Sequence, residues 1–273
     1  GTQMIENFRF VAQILDVPHN RVRIECPELG GGFGGKIMLT IEPFLALLVK
    51  ATGLPVRMVL TREESILSST KRHPYVMHYK IGAEADGRLP ALAADIVGDA
   101  GAYTDLSAVI CKYSMVQASG PYRWPNVRVD MRMVHTHNPT ATAMRGVGSP
   151  QITFALEGLM DTLAERLGLD PMDLRVRNYL SKGEALATGQ PLKRDVRLAQ
   201  TLEQAQRALD RAVSADGGAL EERDSNNLRR AKGFASNMTG YGRYGTVAQA
   251  HVGVQMDGSA VVSAGAPDLG AGQ

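Results

Sequence analysis

Gly30-Gly31-Gly32-Phe33-Gly34-Gly35-Lys36 is the stretch on which the reading of this chain turns. Clustered glycines let backbone N–H groups approach a ligand with no Cβ in the way. Placed between a strand and a helix, such a loop forms an anion-binding concavity. The flanks predict that placement. Arg21–Cys26 alternates Val22 and Ile24 with charged residues, as a strand does. A helix is expected from about Glu42, with Pro43 in its first turn and Gly53 past its end. Three readings of the loop compete. A phosphate loop, Gly30-x4-Gly35-Lys36, needs a hydroxyl at the next position, which is Ile37. A dinucleotide fingerprint, Gly30-x-Gly32-x-x-Gly35, needs an acidic residue closing the next strand, and Glu63-Glu64 comes late for it. The third is a turn that only packs a helix on a sheet. So many glycines around one phenylalanine favour a ligand over that.

Working outward, Met4, Phe8, Val11 and Leu15 recur at helical spacing, so residues 3–15 read as a helix with Thr2 as N-cap. Val56–Leu60 reads as a strand, 77–97 as a hairpin around Asp86-Gly87, Gly98-Asp99-Ala100-Gly101 as a flexible turn and Val127–Val134 as a strand. Ser149 as N-cap and Pro150 open a helix with the apolar face Ile152, Leu156, Leu159 and Leu163. Asp170-Pro171 opens another. Residues 181–195 are loop-like, Leu198–Ala212 is an amphipathic helix, 215–232 is a polar excursion, and a last hairpin centres on Asp257-Gly258. Hairpins set among helices predict an α+β fold rather than a purely parallel sheet.

Composition sets limits. With 44% hydrophobic and 21% charged residues a packed core is expected, and a net charge of +2 is too small to draw nucleic acid or an anionic membrane. Cys26 and Cys111 form no CxxC, so no iron–sulfur cluster or zinc site is expected on this chain, and a reducing compartment is favoured. That places it in the cytoplasm, with the periplasm as alternative. The longest aliphatic run, Phe44–Val49, is too short to span a bilayer. The opening at Gly1 and the close at Gly270-Ala271-Gly272-Gln273 suggest an excised piece or one half of a split subunit.

A set of motifs in fixed order adds to this. The glycine loop is preceded by Gly1-Thr2-Gln3 and Val17-Pro18-His19-Asn20-Arg21-Val22. It is followed by Pro55-Val56-Arg57, Thr61-Arg62-Glu63-Glu64, Arg72-His73-Pro74, Gly98–Tyr103, Met144–Gln151, Leu174-Arg175-x-x-Asn178 and Asp268–Gly272. Together they resemble the molybdopterin-binding large subunit of the xanthine dehydrogenase/aldehyde oxidase family, the molybdenum hydroxylases. The resemblance covers nearly the whole chain and is weakest over 181–230. It implies a first molybdenum-cofactor-binding domain over 1–180, and over 181–273 a linker and the start of a second.

In that family molybdenum is carried on a pyranopterin dithiolene, expected here as the cytosine dinucleotide form, and no protein side chain is expected to ligate the metal. The resemblance implies that the Gln3 side-chain amide and the Phe33 N–H hydrogen-bond the cofactor's oxygens, with Gly32 and Gly34 allowing the approach. Arg145 would stabilise negative charge there or on substrate. Gly270, Ala271 and Gly272 would meet the phosphate side of the pterin, although many members have glutamine where Ala271 stands. Ile37, Tyr113, Val147 and Tyr244 would line the substrate pocket. Purine-oxidising members carry glutamate, arginine and phenylalanine at the first three of these positions, so this pocket is more apolar and a purine does not suit it. Carbon monoxide dehydrogenases have a cysteine where Gly146 stands. An aldehyde or an aromatic N-heterocycle is left, oxidised with water as oxygen source.

The family's glutamate base falls in a motif beyond Gln273, so no general base is expected here and the chain alone is expected to be inactive. A [2Fe-2S] subunit, an FAD subunit or other acceptor, and the remainder of the large subunit or its split partner are the implied partners. Two alternatives stand beside this reading: an NAD(P)-dependent dehydrogenase built on Gly30–Gly35, and a non-catalytic assembly module. Elsewhere, His135-x-His137 would put two imidazoles on one strand face, too few for zinc. Glu157, Asp161 and Glu165 read as a solvated acidic stripe, and Cys111 as a pocket candidate by position.

Overall fold

The computed structural model describes residues 4–25, 30–215, 231–238 and 249–264. Helix α1 (Met4–Leu15) packs on α2 (Glu42–Thr52), both where the apolar spacing put them. A 3-10 turn, His19–Arg21, follows α1 and sets the His19 ring edge-on to Phe8, with 5.4 Å between centroids. The strands expected over 21–26 and 56–60 do not form. Residues 22–25 and 55–60 carry the alternation but have no ladder partner among the described residues, and a strand is completed only by its neighbour. Helix α3 (Arg62–Ser68) was not anticipated, although its signal was present. Thr61 Oγ1 accepts from Glu64 N at 3.2 Å and Glu64 Oε2 accepts from Thr61 N at 2.7 Å, a reciprocal capping box.

A three-stranded sheet in the order β1-β2-β3 organises the rest: β1 (Tyr75–Gly82), β2 (Ala91–Gly101) and β3 (Asn126–His135). The β1–β2 pair is antiparallel, as the Asp86-Gly87 turn predicts, while β3 lies parallel to β2. Residues 98–101 are the end of β2 rather than a free turn, with a bulge between Asp99 and Gly101. The crossover to β3 carries α4 (Ser107–Gln117), a helix the sequence hid. Its buried positions include Ser107, Ser114 and Gln117, so no apolar stripe marks it. β3 ends at His135, whose ring meets Thr104 Oγ1 at 3.2 Å and the Gly101 carbonyl at 3.3 Å. His137 is past the strand, so the two histidines do not share a strand face.

The core lies between the sheet and α5 (Ser149–Leu167). Leu92, Ala94 and Ile96 of β2 face Ile152, Leu156, Met160 and Ala164. The helix begins one residue earlier than expected. Gly148, at φ 87°, is the N-cap, and Ser149 is buried with its hydroxyl donating to Asn237 Oδ1 at 2.8 Å. Gly168, at φ 65°, closes the helix by donating to the Ala164 and Glu165 carbonyls. Asp170 caps α6 (Pro171–Asn178) as expected, accepting from Met172 N and Asp173 N. Asn178 Nδ2 donates to the Gly87 carbonyl at 2.8 Å and ties α6 to the β1–β2 turn. Helix α7 (Leu198–Ala215) and the hairpin β4 (Ala250–Val254) and β5 (Ala260–Ala264) match the sequence reading. The excursion expected over 215–232 falls almost wholly outside the described residues.

The acids of α5 do not form one solvated stripe. Asp161 and Glu165 are exposed, but Glu157 is buried against Arg175, whose side chain is also fully enclosed. Helical spacing puts the three acids on one face, yet α6 covers the turn that holds Glu157. The sheet mixes one antiparallel and one parallel pairing beside packed helices, an α+β arrangement. Among the described residues no helix is long and apolar enough to cross a membrane.

Candidate cofactor site

Two loops that are far apart in sequence meet at the glycine run. Phe33 sits at φ 52° and is 60% exposed, so it does not fill the core of the described residues. Next to it Gly34 takes φ 108°, and a Cβ there would fall 2.1 Å from the Ala143 carbonyl oxygen. Only a bare Cα permits that approach. The contact is completed by Arg145 N donating to the Phe33 carbonyl at 2.9 Å. The Arg145 guanidinium carbon lies 5.7 Å from the centre of the Phe33 ring, a cation–π arrangement. The structure thus brings together Phe33 and Arg145. Gln3, Tyr244, Gly270, Ala271 and Gly272 lie outside the described residues.

The pocket candidates surround this junction in part. Ile37 is half-buried and donates its N–H to the Gly34 carbonyl at 3.2 Å, while the Gly32 carbonyl takes Gly35 N at 3.0 Å. Val147 is half-buried at φ 48°, between Gly146 and Gly148, which are also left-handed. A Cβ on Gly148 would lie 2.2 Å from Ser114 Oγ, so the 145–148 loop rests directly on α4. Tyr113, half-buried, is the neighbour of Ser114 on that helix.

Among the described residues, the N–H groups of Gly31, Gly32, Phe33 and Gly34 have no protein acceptor, and Arg145 has no carboxylate partner. Several N–H donors beside a guanidinium suit an oxygen-rich, negatively charged group. They do not suit a bare metal ion, and no group of three His, Cys, Asp or Glu side chains that could hold one occurs among the described residues. A molybdenum cofactor presenting oxygens fits this donor set. The dinucleotide fingerprint fares differently. Among the described residues the loop joins no laddered strand, α2 starts only at Glu42, and the sheet is mixed rather than parallel.

Behind the junction stands a layer that sequence reasoning quoted as motif but gave no role. Arg72 Nη2 donates to the Arg145 carbonyl at 2.8 Å and Arg72 Nη1 to Gln151 Oε1 at 3.3 Å. Gln151 Nε2 donates to the His73 carbonyl at 3.0 Å. The His73 ring is enclosed, with Nε2 at 2.8 Å from Ser107 Oγ. Burial lowers its pKa, against the opposing fields of Asp105 and Asp99 and a bond to the Thr142 backbone. A folded-state pKa below the unfolded value of about 6.5 means that the unfolded chain takes up the proton first. The contribution of neutral His73 is therefore full above that value and lost as pH falls through the folded pKa. The stability gap between wild type and His73→Gln is expected to be wider at pH 7.5 than at pH 5.5 in paired thermal melts. A gap that does not change with pH would contradict this.

A family model described as the molybdopterin cofactor-binding domain matches residues 1–179. The nicotinate dehydrogenase large molybdopterin subunit of Eubacterium barkeri is 46% identical over 207 residues, covering 76% of this chain and 48% of that protein. Aldehyde oxidoreductase from Desulfovibrio gigas superposes with a TM-score of 0.72 at 26% identity, over 93% of this chain and 28% of that one. Quinoline 2-oxidoreductase from Pseudomonas putida 86 also gives 0.72 at 26% identity, over 96% and 35%. The chain spans about half or less of the length of these relatives. On the family match over its first 179 residues and on these likenesses, the chain belongs to the molybdopterin cofactor-binding domain family of xanthine dehydrogenase/aldehyde oxidase-type molybdenum hydroxylases.

Proposed function

We propose that this chain is the part of a molybdenum hydroxylase that seats the molybdopterin cofactor and one side of the substrate pocket. The observation that carries this is the junction of the Phe33 and Arg145 loops, where among the described residues the N–H donors of 31–34 have no protein acceptor and the guanidinium has no carboxylate partner. Phe33 N, assisted by Gly32 and Gly34, and the Gln3 amide hold the cofactor's oxygens. Gly270, Ala271 and Gly272 take its phosphate end. When bound, the cofactor supplies two-electron redox chemistry. Arg145 supplies a fixed cation that steadies negative charge as the substrate carbon is oxidised. Ile37, Tyr113, Val147 and Tyr244 exclude water and prefer a flat, weakly charged substrate.

The proposed substrate class is an aldehyde or aromatic N-heterocycle. The relatives named for nicotinate and quinoline support the heterocycle. The proposed cofactor form is the cytosine dinucleotide. An iron–sulfur subunit and an FAD subunit are proposed as electron acceptors, because this chain carries only Cys26 and Cys111. The division into a first domain over 1–180 and the start of a second is supported by the family match ending at residue 179. A cytoplasmic site suits the sparse cysteines.

The test is to purify the full complex, measure molybdenum and pterin, and assay nicotinate, quinoline and benzaldehyde with a dye acceptor. Stoichiometric molybdenum is expected, with about a hundredfold loss of kcat/KM in Arg145→Ala. Turnover by a complex free of molybdenum would overturn the proposal. Ile37→Glu is expected to raise kcat/KM for carboxamide-bearing or hydroxylated heterocycles relative to quinoline. An unchanged ratio would remove Ile37 from the pocket.

A further inference from the structure

We infer that Arg72 is the positioning residue of the site: steadied by Gln151, it holds the Arg145 carbonyl opposite the Phe33 bond to the Arg145 amide and so sets where that guanidinium stands. The inference rests on the cofactor reading above. Arg145 is fixed through its main chain at two points. Its N–H is bound to the Phe33 carbonyl at 2.9 Å, and its C=O takes Arg72 Nη2 at 2.8 Å. Flanking residues 146, 147 and 148 all have positive φ, two of them glycine, so the loop has little intrinsic preference for this course. What holds it must come from outside. Only a side chain with two divergent donors can reach both the Arg145 carbonyl and Gln151 Oε1, and guanidinium has that fork. Gln151 Nε2 then returns to the His73 carbonyl, the residue after Arg72, and closes a ring through side chains and backbone. The ring sits on a firm base, because His73 is enclosed and bound to Ser107, while Arg72 is half-buried and open to small solutes. Arg72 touches the carbonyl of Arg145 and acts through that residue.

A lysine reaches one acceptor and not both, so Arg72→Lys should keep the charge and lose the bracket. In the full-length subunit, hydrogen exchange of the peptide holding residues 143–148 is expected to quicken about tenfold in both Arg72→Lys and Arg72→Ala, while α5 keeps its protection. In the loaded complex kcat should fall about ten- to a hundredfold with KM changed less than threefold, since a small misplacement of a catalytic group costs that much. Pterin content, read by fluorescence after oxidative release, should stay at the wild-type level. Added ethylguanidinium should restore part of kcat in Arg72→Ala and none in Arg72→Lys. Gln151→Ala, with one link of the ring cut, should show the same pattern at reduced size. Unchanged exchange overturns the inference, as does faster exchange with unchanged kcat, or a loss of kcat that only follows lost pterin. A wild-type complex without molybdenum overturns the cofactor reading instead, and is recognised by metal analysis before any variant is made.

Discussion

Glu157→Ala is expected to lower the stability of the folded chain by about 3–5 kcal/mol, the cost of taking from a buried cation its one enclosed carboxylate and leaving it only the exposed Asp161. The reason is the enclosure of the pair. Arg175 is 0% exposed and Glu157 4%. Arg175 Nε donates to Glu157 Oε2 at 2.8 Å, its Nη1 to the Pro171 carbonyl at 3.0 Å, and its Nη2 pairs with Asp161 Oδ1 at 2.8 Å. Glu157 also accepts from Tyr122 OH at 2.6 Å and from Ser236 N at 2.8 Å. Burial, together with the negative charge of Glu157, pushes the Tyr122 phenol well above its usual range. It therefore stays a donor throughout the physiological pH range. Truncating the carboxylate would orphan donors on α6, on the Tyr122 segment and on the 231–238 segment at once. Chemical denaturation of the single variants and of the double variant Glu157→Leu/Arg175→Leu is the measurement. The double variant should cost less than the sum of the singles, because with both charges removed no buried ion is left unpaired, although Tyr122 OH and Ser236 N still lose their acceptor. Additive costs would show that the two residues do not act as a pair.

The second large effect is expected at Gly34. An alanine there meets the Ala143 carbonyl at 2.1 Å and the Met144 Cα at 2.8 Å, with φ at 108°. Both contacts are backbone, so no side chain can swing aside to relieve them. The loops must part, and the bond from Arg145 N to the Phe33 carbonyl goes with them. Backbone strain of about 1–3 kcal/mol and a lost hydrogen bond of about 1 kcal/mol add to roughly 2–4 kcal/mol. Pterin retention should collapse in the complex. Gly30→Ala is the internal control. It shares a positive φ of 58° but meets nothing within 4 Å, so strain alone applies and retention should survive. If Gly34→Ala retains pterin as well as Gly30→Ala does, the close approach is not what shapes the cradle.

The parts of the fold that sequence revealed are those whose cause is local. Asp170 before Pro171, Gly53 after Thr52 and the Asp86-Gly87 turn act within a few residues, and each was legible. Helix α4 was not, because its buried face includes Ser107 and Ser114, whose partners His73 and Tyr75 come from elsewhere in the chain. Glu157 was misread for the same reason, since its burial is decided by Arg175 on another helix. Within the site, Phe33 and Arg145 came from motif resemblance, and the structure adds that they touch. Arg72 was quoted as motif and given no role, since a side chain that grips another residue's carbonyl leaves no trace in spacing.

The link between the Phe33 carbonyl and the Arg145 amide has a bearing on biogenesis. During synthesis the glycine run emerges long before the strands and helix that deliver its counterpart, and closing so long a loop is slow. Until then the run has only its local bonds, from Gly35 N to the Gly32 carbonyl and from Ile37 N to the Gly34 carbonyl, to define its shape. The cradle that would receive the cofactor is therefore complete only once the 143–145 segment has docked on the glycine run.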